Sequence, residues 1–328
     1  VPTSRREFLV GTGLALGAPL LACRASPSDA PDPDDPRSTT DRRTATVPIQ
    51  LSTVLQAHGR GDRLFSVRSL DLGRLGRAAS PVVVLDDFRV IRGPFGPHPH
   101  AGFSAVTYVF PDSDGGLRNR DSFGGHHVVG PGGLCWLQAG RGALHEELPS
   151  DAGRELHGLQ IFVNLSARNK LADPGTFALD GDAVPEWHGP AGDRVRVAVG
   201  SFEGVASPLA PVEPFTLLDV ALRREVGFSL PAGHNALVYV RHGDAELVAR
   251  DRRQRLTAGQ ALAASGGPGS LSLTTSSGAD VVILSGAELQ DPVVARGPFI
   301  QCTAAQLTDA ERRYLAGDMG TLAPYTGG

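Results

Sequence analysis

The sequence predicts an all-β protein made of two small barrels with a short helix near the C-terminus. Three observations carry this. Short apolar runs recur from about residue 48 onward and are separated by turn residues. Glycine and proline are abundant, 41 and 25 of 328 residues, which favours many tight turns over long helices. Only one stretch, 303–316, reads as a helix, with Thr303 or Thr308 as its cap and Ala310, Glu311 and Arg312 as helix formers.

The strands follow in order. Val82–Leu85 is the first clear candidate, ending at Asp86-Asp87, and Ser104–Phe110 the second, closed by the turn 111–116. His127–Val129 runs into Gly130-Pro131-Gly132-Gly133. Leu134–Gln138 and Leu159–Leu165 complete the first set. A second set comprises Phe215–Val220, Ala236–Val240, Ala245–Val248, Ala261–Ala264, Ser270–Thr274 and Asp280–Leu284. Two sets imply a first barrel over 48–180 and a second over 181–328 with a C-terminal tail, with 171–190 as connector.

Residues 1–23 read as an address, not as part of a domain. Arg5 and Arg6 precede an apolar stretch, Phe8 to Ala22, shorter than the roughly 20 residues a membrane span needs. Ser4-Arg5-Arg6-Glu7-Phe8-Leu9 resembles a twin-arginine export signal, and Leu20-Leu21-Ala22-Cys23 a bacterial lipobox with Cys23 as the lipidated residue. These resemblances imply an exported protein at the periplasmic or cell-envelope face, held to a membrane only through Cys23. Residues 24–47, rich in Pro, Asp, Ser, Thr and Arg, read as a disordered polar linker.

Several functional classes are excluded. A net charge of -4 does not suit a phosphate backbone, so no nucleic-acid partner is expected. Neither a dinucleotide fingerprint nor a phosphate-binding lysine loop is present. Three cysteines are too few for a disulfide framework, and Cys135, inside the apolar run with Trp136 and Leu137, reads as core.

The chemistry lies in two short motifs. In Gly96-Pro97-His98-Pro99-His100, Pro99 keeps the segment extended, and residues two apart then share one face. In Gly142-Ala143-Leu144-His145-Glu146-Glu147 the same parity aligns His145 with Glu147 and turns Glu146 away. Paired in a barrel, His98, His100, His145 and Glu147 can converge on one divalent transition metal. Iron, nickel, copper, manganese, cobalt and zinc all suit such a nitrogen-rich set, whereas calcium and magnesium want oxygen. Three neutral imidazoles and one carboxylate leave a net charge of about +1, which favours a bound anion such as an enolate.

The runs that hold these motifs, His98 to Tyr108, Gly130 to Pro149 and His157 to Leu165, together with Asp86-Asp87-Phe88 and Arg296-Gly297-Pro298-Phe299, resemble the signature blocks of the pirin family in the cupin superfamily. The similarity spans about 50–316. It implies a bicupin, two double-stranded β-helix (jelly-roll) barrels, with one metal, usually iron as Fe(II), in the N-terminal barrel on the same four residues. Some bacterial members open quercetin with dioxygen and release carbon monoxide. Others act as redox-sensitive cofactors or partners of other proteins. The implied activity is a metal-dependent dioxygenase that opens a flavonol-like enolisable aromatic with O2, Glu147 accepting the hydroxyl proton as the catalytic base. The alternative is a non-catalytic, envelope-tethered metal-bearing protein that binds or responds to redox change, and a third is a cupin acting on a sugar or small metabolite. The sequence departs from the family at Ser104, where a Glu is usual and a changed metal surrounding is expected, and in its export segment, which argues against a transcriptional role. The second barrel has no matching quartet and reads as a packing domain.

Overall fold

The computed structural model describes residues 48–93 and 96–326. The expected export segment, Cys23 and the linker 24–47 lie outside the described residues. Among those described, no helix is long and apolar enough to cross a membrane.

Each half of the chain is a large and a small antiparallel sheet enclosing an apolar core. In the first half the large sheet runs Gly175–Leu179, Leu134–Gln138, Phe103–Val109, Leu156–Asn164, Val82–Val90, Phe65–Ser69 and His58–Gly61 in spatial order. The small sheet runs His98–His100, Ala143–Pro149, Leu117–Asp121 and His126–Val129. In the second half, Gln260–Ser265, His234–Ala249, Ala279–Ala287, Phe215–Leu222, Arg194–Val199 and Glu186–His188 form the large sheet. Its small sheet runs Glu225–Leu230, Gly269–Thr274, the far end of His234–Ala249, and Arg252–Thr257.

The two large sheets pack face to face. Strand Phe103–Val109 is buried on both sides, and its alternation explains how. Val106 and Tyr108 face the second half, where they join Leu217, Leu237, Tyr239 and Leu284, while Phe103 and Ala105 pack inside the first barrel with Leu137 and Ala143. Each fully buried aliphatic side chain in such a layer contributes about 1.5–3 kcal/mol. Two tyrosines tie the halves together through buried carboxylates. Tyr108 donates to Asp219 and Tyr239 to Asp87, both at 2.7 Å, and Asp87 also faces His157 Nε2 at 2.9 Å. His157 is therefore a structural histidine.

The two ends of the described chain cross over. Gln50–Leu51 and Leu55–Gln56 pair with Gln260–Ser265 of the second half, although the sequence places the start of the first barrel at residue 48. The C-terminal segment covers the first half. Phe299 bridges Ala101, and the helix Ala304–Ala316, capped by Thr303, buries Leu307, Ala310 and Tyr314 against Ala101 and Leu144. Lys170, fully buried, fastens this crossing: its ammonium donates to the carbonyls of Gly102 (2.7 Å) and Ile300 (3.0 Å) and to the Asn164 side chain.

Three expectations are corrected. The first strand does not stop at Asp86-Asp87 but continues to Val90, because Asp87 is buried and paired inside it. The two strands at 236–240 and 245–248 are one bent strand, His234–Ala249, whose register shifts between Val240 and His242 and whose Gly243 takes φ +74°. The connector 171–190 contributes two edge strands, Gly175–Leu179 and Glu186–His188, one to each large sheet.

Candidate metal centre

The centre is built on two neighbouring strands of the small sheet of the first half. His98–His100 pairs antiparallel with Ala143–Pro149, so that His98 lies opposite His145 and His100 opposite Ala143. Parity then turns all three imidazoles inward, while Ala101 and Leu144 pack outward beneath the C-terminal helix. The outer packing thus holds the ligand strands from behind. Glycine is required at both flanks. Gly102 sits at φ +84° with the Ile300 carbonyl where a Cβ would stand, and Gly142 sits at φ +135° against Met319.

The three imidazoles meet. Their ligand atoms all lie within 4.8 Å of one another, and the ring centroids of His98, His100 and His145 are 4.6–4.9 Å apart. His100 and His145 are buried and His98 half-buried. Burial holds the pKa of each below the ordinary histidine value, well below for His100 and His145, where His98 adds repulsion. The rings are therefore neutral and carry lone pairs.

The arrangement of protons tests whether a cation fits. His98 Nδ1 faces the Gly96 carbonyl at 2.9 Å, and His145 Nδ1 faces the Asn119 side-chain oxygen at 3.2 Å. An oxygen of this kind only accepts, so both Nδ1 atoms carry the proton. The two Nε2 atoms, 3.1 Å apart, then present lone pairs to each other. Two facing lone pairs repel unless a positive centre stands near them, which a divalent transition metal supplies. The Nδ1 bonds also fix ring orientation in the way metal-binding histidines require. The three histidines thus form a site for one such ion.

The matches to known families follow this geometry. Residues 74–163 match the pirin family model, and 217–320 match that of the pirin C-terminal cupin domain. The chain belongs to the pirin family. A Pseudomonas aeruginosa protein that carries the name quercetin 2,3-dioxygenase is 34% identical over 250 residues, covering 72% of this chain and 86% of that protein. Human pirin is 32% identical over 271 residues, covering 80% of this chain and 90% of its own. Among solved structures, a quercetin 2,3-dioxygenase from Acinetobacter baumannii superposes with a TM-score of 0.74 at 26% identity, over 84% of this chain and all of that one. The pirin fold of two cupin barrels is thereby the fold of this chain.

Within this pirin, Glu147 stands outside the histidine group. It shares the inward face with His145, as parity requires, but its carboxylate is engaged by the Thr107 hydroxyl, 2.8 Å from both oxygens. Burial raises its pKa to about 7, and the Thr107 hydrogen bond opposes that rise. Glu146 points the other way and is paired with Arg120 at 3.0 Å and with the backbone N–H of Tyr325 at 2.9 Å. Phe162 and Phe103 flank His100, with ring centroids 5.4 and 5.0 Å from it.

Ser104, where a departure from the family is expected, is buried, and its hydroxyl has no hydrogen-bond partner among the described residues. Alternation puts it on the face of its strand opposite Thr107. Cys135 is buried core, its thiol pushed well up by burial, and Cys135 and Cys302 are both free thiols. Thr107, Asn119 and Phe162 escaped the sequence reading. Thr107 and Phe162 lie on strands it did identify, at inward positions that parity could have given.

Proposed function

We propose that this protein is a metal-dependent dioxygenase that opens an enolisable, flavonol-like aromatic with O2. The observation that carries the reading is the neutral imidazole triad, with two lone pairs 3.1 Å apart and a ring-lined apolar flank, in a chain 34% identical to a protein named quercetin 2,3-dioxygenase. A divalent ion bound there supplies Lewis acidity and, as iron, one-electron chemistry toward dioxygen. Iron as Fe(II) is the favoured ion, with nickel, copper, manganese, cobalt and zinc as competitors.

The protein's own part is orientation and proton handling. His98, His100 and His145 would hold the ion, and the Nδ1 hydrogen bonds of His98 and His145 orient those two rings for it. Phe162 and the fully buried Phe103 pack beside His100 and make that flank of the triad apolar. Glu147 would receive the substrate hydroxyl proton, and its unprotonated carboxylate, once released by Thr107, would be the fourth ligand. Thr107 holds the carboxylate in reserve. The test is quercetin loss with matched O2 uptake in purified, metal-loaded protein. Turnover in one or more metal forms supports the reading, and no turnover across the iron, nickel, copper, manganese and cobalt forms overturns it.

A non-catalytic metal-bearing protein, binding or redox-responsive, is favoured by the burial of His100 and His145. It predicts metal content without O2 uptake. Placement at the cell envelope through a lipidated Cys23 is a further part of the proposal, and rests on the sequence of residues 1–23. The mass of the mature, membrane-extracted protein tests it.

A further inference from the structure

The second barrel carries an open cavity against the strand pair that corresponds to the ligand strands of the first. Strands Glu225–Leu230 and Gly269–Thr274 occupy the same order in their small sheet as the two ligand strands do in theirs. Their inward positions are Val226, Phe228 and Leu230 on one strand and Leu271 and Leu273 on the other, with Phe228 opposite Leu271. Beside them lies an open cavity of about 340 Å³, within the size range of small-ligand sites.

The cavity's walls have a specific character. Trp187 and Phe202 meet nearly at right angles, interplanar 83° with centroids 5.3 Å apart, and Phe228 lines the same space. Trp187 and Phe228 are only partly buried, so their rings remain available. No lysine, arginine or histidine lines the cavity, and its one charged residue is Glu203.

Glu203 occupies an unfavourable backbone position. It and Gly204 are the two loop residues of the hairpin in which Phe202 pairs with Val205, and both have positive φ, +46° and +81°. Such a turn favours Asn, Asp or Gly at the first position, and a longer side chain there is strained. Among the described residues, no hydrogen bond or ion pair engages the Glu203 carboxylate. The turn sets Glu203 at the exposed rim of the cavity, where it is the one charged side chain of the lining.

We infer that this cavity binds a methylated organic ammonium, its cationic head against Trp187, Phe202 and Phe228 and its charge balanced by Glu203. Aromatic faces attract such cations through the negative potential over their rings, and a quaternary ammonium forfeits little hydration on entering. The site is separate from the metal centre.

The experiment is an NMR titration of the Trp187 indole in the full folded protein, with choline as probe and 3,3-dimethylbutan-1-ol, its uncharged isostere, as control. Saturable choline binding is expected at least about tenfold tighter than that of the isostere. E203Q, at an exposed turn, is expected to weaken choline binding at least threefold. Trp187→Leu, which keeps the apolar volume, is expected to abolish it by a label-free calorimetric readout, and His145→Ala to leave it intact. Absence of saturable binding, equal affinity for the isostere, or E203Q binding unchanged would overturn the inference.

Discussion

The two barrels share one strand plan and differ in what faces inward. In the first, the edge strand of the small sheet and its neighbour bring His98 opposite His145, with His100 one inward step away. In the second, the corresponding strands bring Phe228 opposite Leu271, with Leu230 one inward step away. The difference teaches that the scaffold supplies only position. Alternation on a pair of hydrogen-bonded strands creates inward places, and the residue types at those places decide between a metal centre and an apolar mouth. The second difference is support. The first pair is backed by the C-terminal helix and flanked by Gly102 and Gly142, while the second pair has a partly exposed aromatic rim.

The largest expected effect breaks this comparison directly. His98→Ala or His145→Ala should lower metal affinity by a factor on the order of 100 or more, since even partners beyond the ligands are worth 10–100-fold. Phe228→Ala should leave metal content unchanged. Elemental analysis of the purified variants checks both.

Lys170 gives the next effect. Removing its ammonium leaves two backbone carbonyls and the Asn164 oxygen buried without a donor, so Lys170→Met should cost about 3 kcal/mol in urea unfolding. Burial lowers the folded pKa of Lys170 to about 8, against 10.5 for the unfolded chain. Between those values the unfolded state binds more protons, so Lys170's contribution to stability rises from pH 8 toward 10.5 and is flat below pH 8. Lys170→Met should lack that rise when unfolding is compared at pH 7.5 and 9.5.

The paired tyrosines come third, because they bond the two barrels to each other through reciprocal contacts. Tyr108→Phe and Tyr239→Phe each strip a donor from a buried carboxylate and should cost about 1–3 kcal/mol in the same assay. The smaller cost is expected at Tyr239, since Asp87 keeps His157 as a second partner. Fourth, Thr107→Val should move the Glu147 carboxyl above its present value near 7, because the lost hydrogen bond is the influence that lowers it. A loss of metal affinity of about tenfold is expected, with a stability cost of about 1 kcal/mol for the donor lost to the Glu147 carboxylate.

Much of this was legible in the sequence because strand parity is local. His98 and His100, two apart across Pro99, and His145 with Glu147 declared a shared face without any knowledge of the sheet. Parity does not give reach, however, and so it could not tell that Glu147 is engaged by Thr107 while the imidazoles meet. Long-range pairing was equally hidden. Nothing near Gln50 signals that its partner is Ser265, and Lys170, within Ala167-Arg168-Asn169-Lys170, has the look of a solvated turn although it is fully buried. The strand Gly175–Leu179 escaped because Pro174 and Gly175 punctuate it like a loop, and the bend at Gly243 made one long strand read as two. Glu203 offered no signal, since only its backbone angle marks it.

The central claim is that three imidazoles hold one ion. Its most direct test is the metal-to-chain ratio of the folded protein, measured by elemental analysis beside His145→Ala with matched circular dichroism. The account predicts about one transition-metal ion per chain in the parent and close to none in the folded variant. A ratio that stays the same when His145 is removed would contradict it.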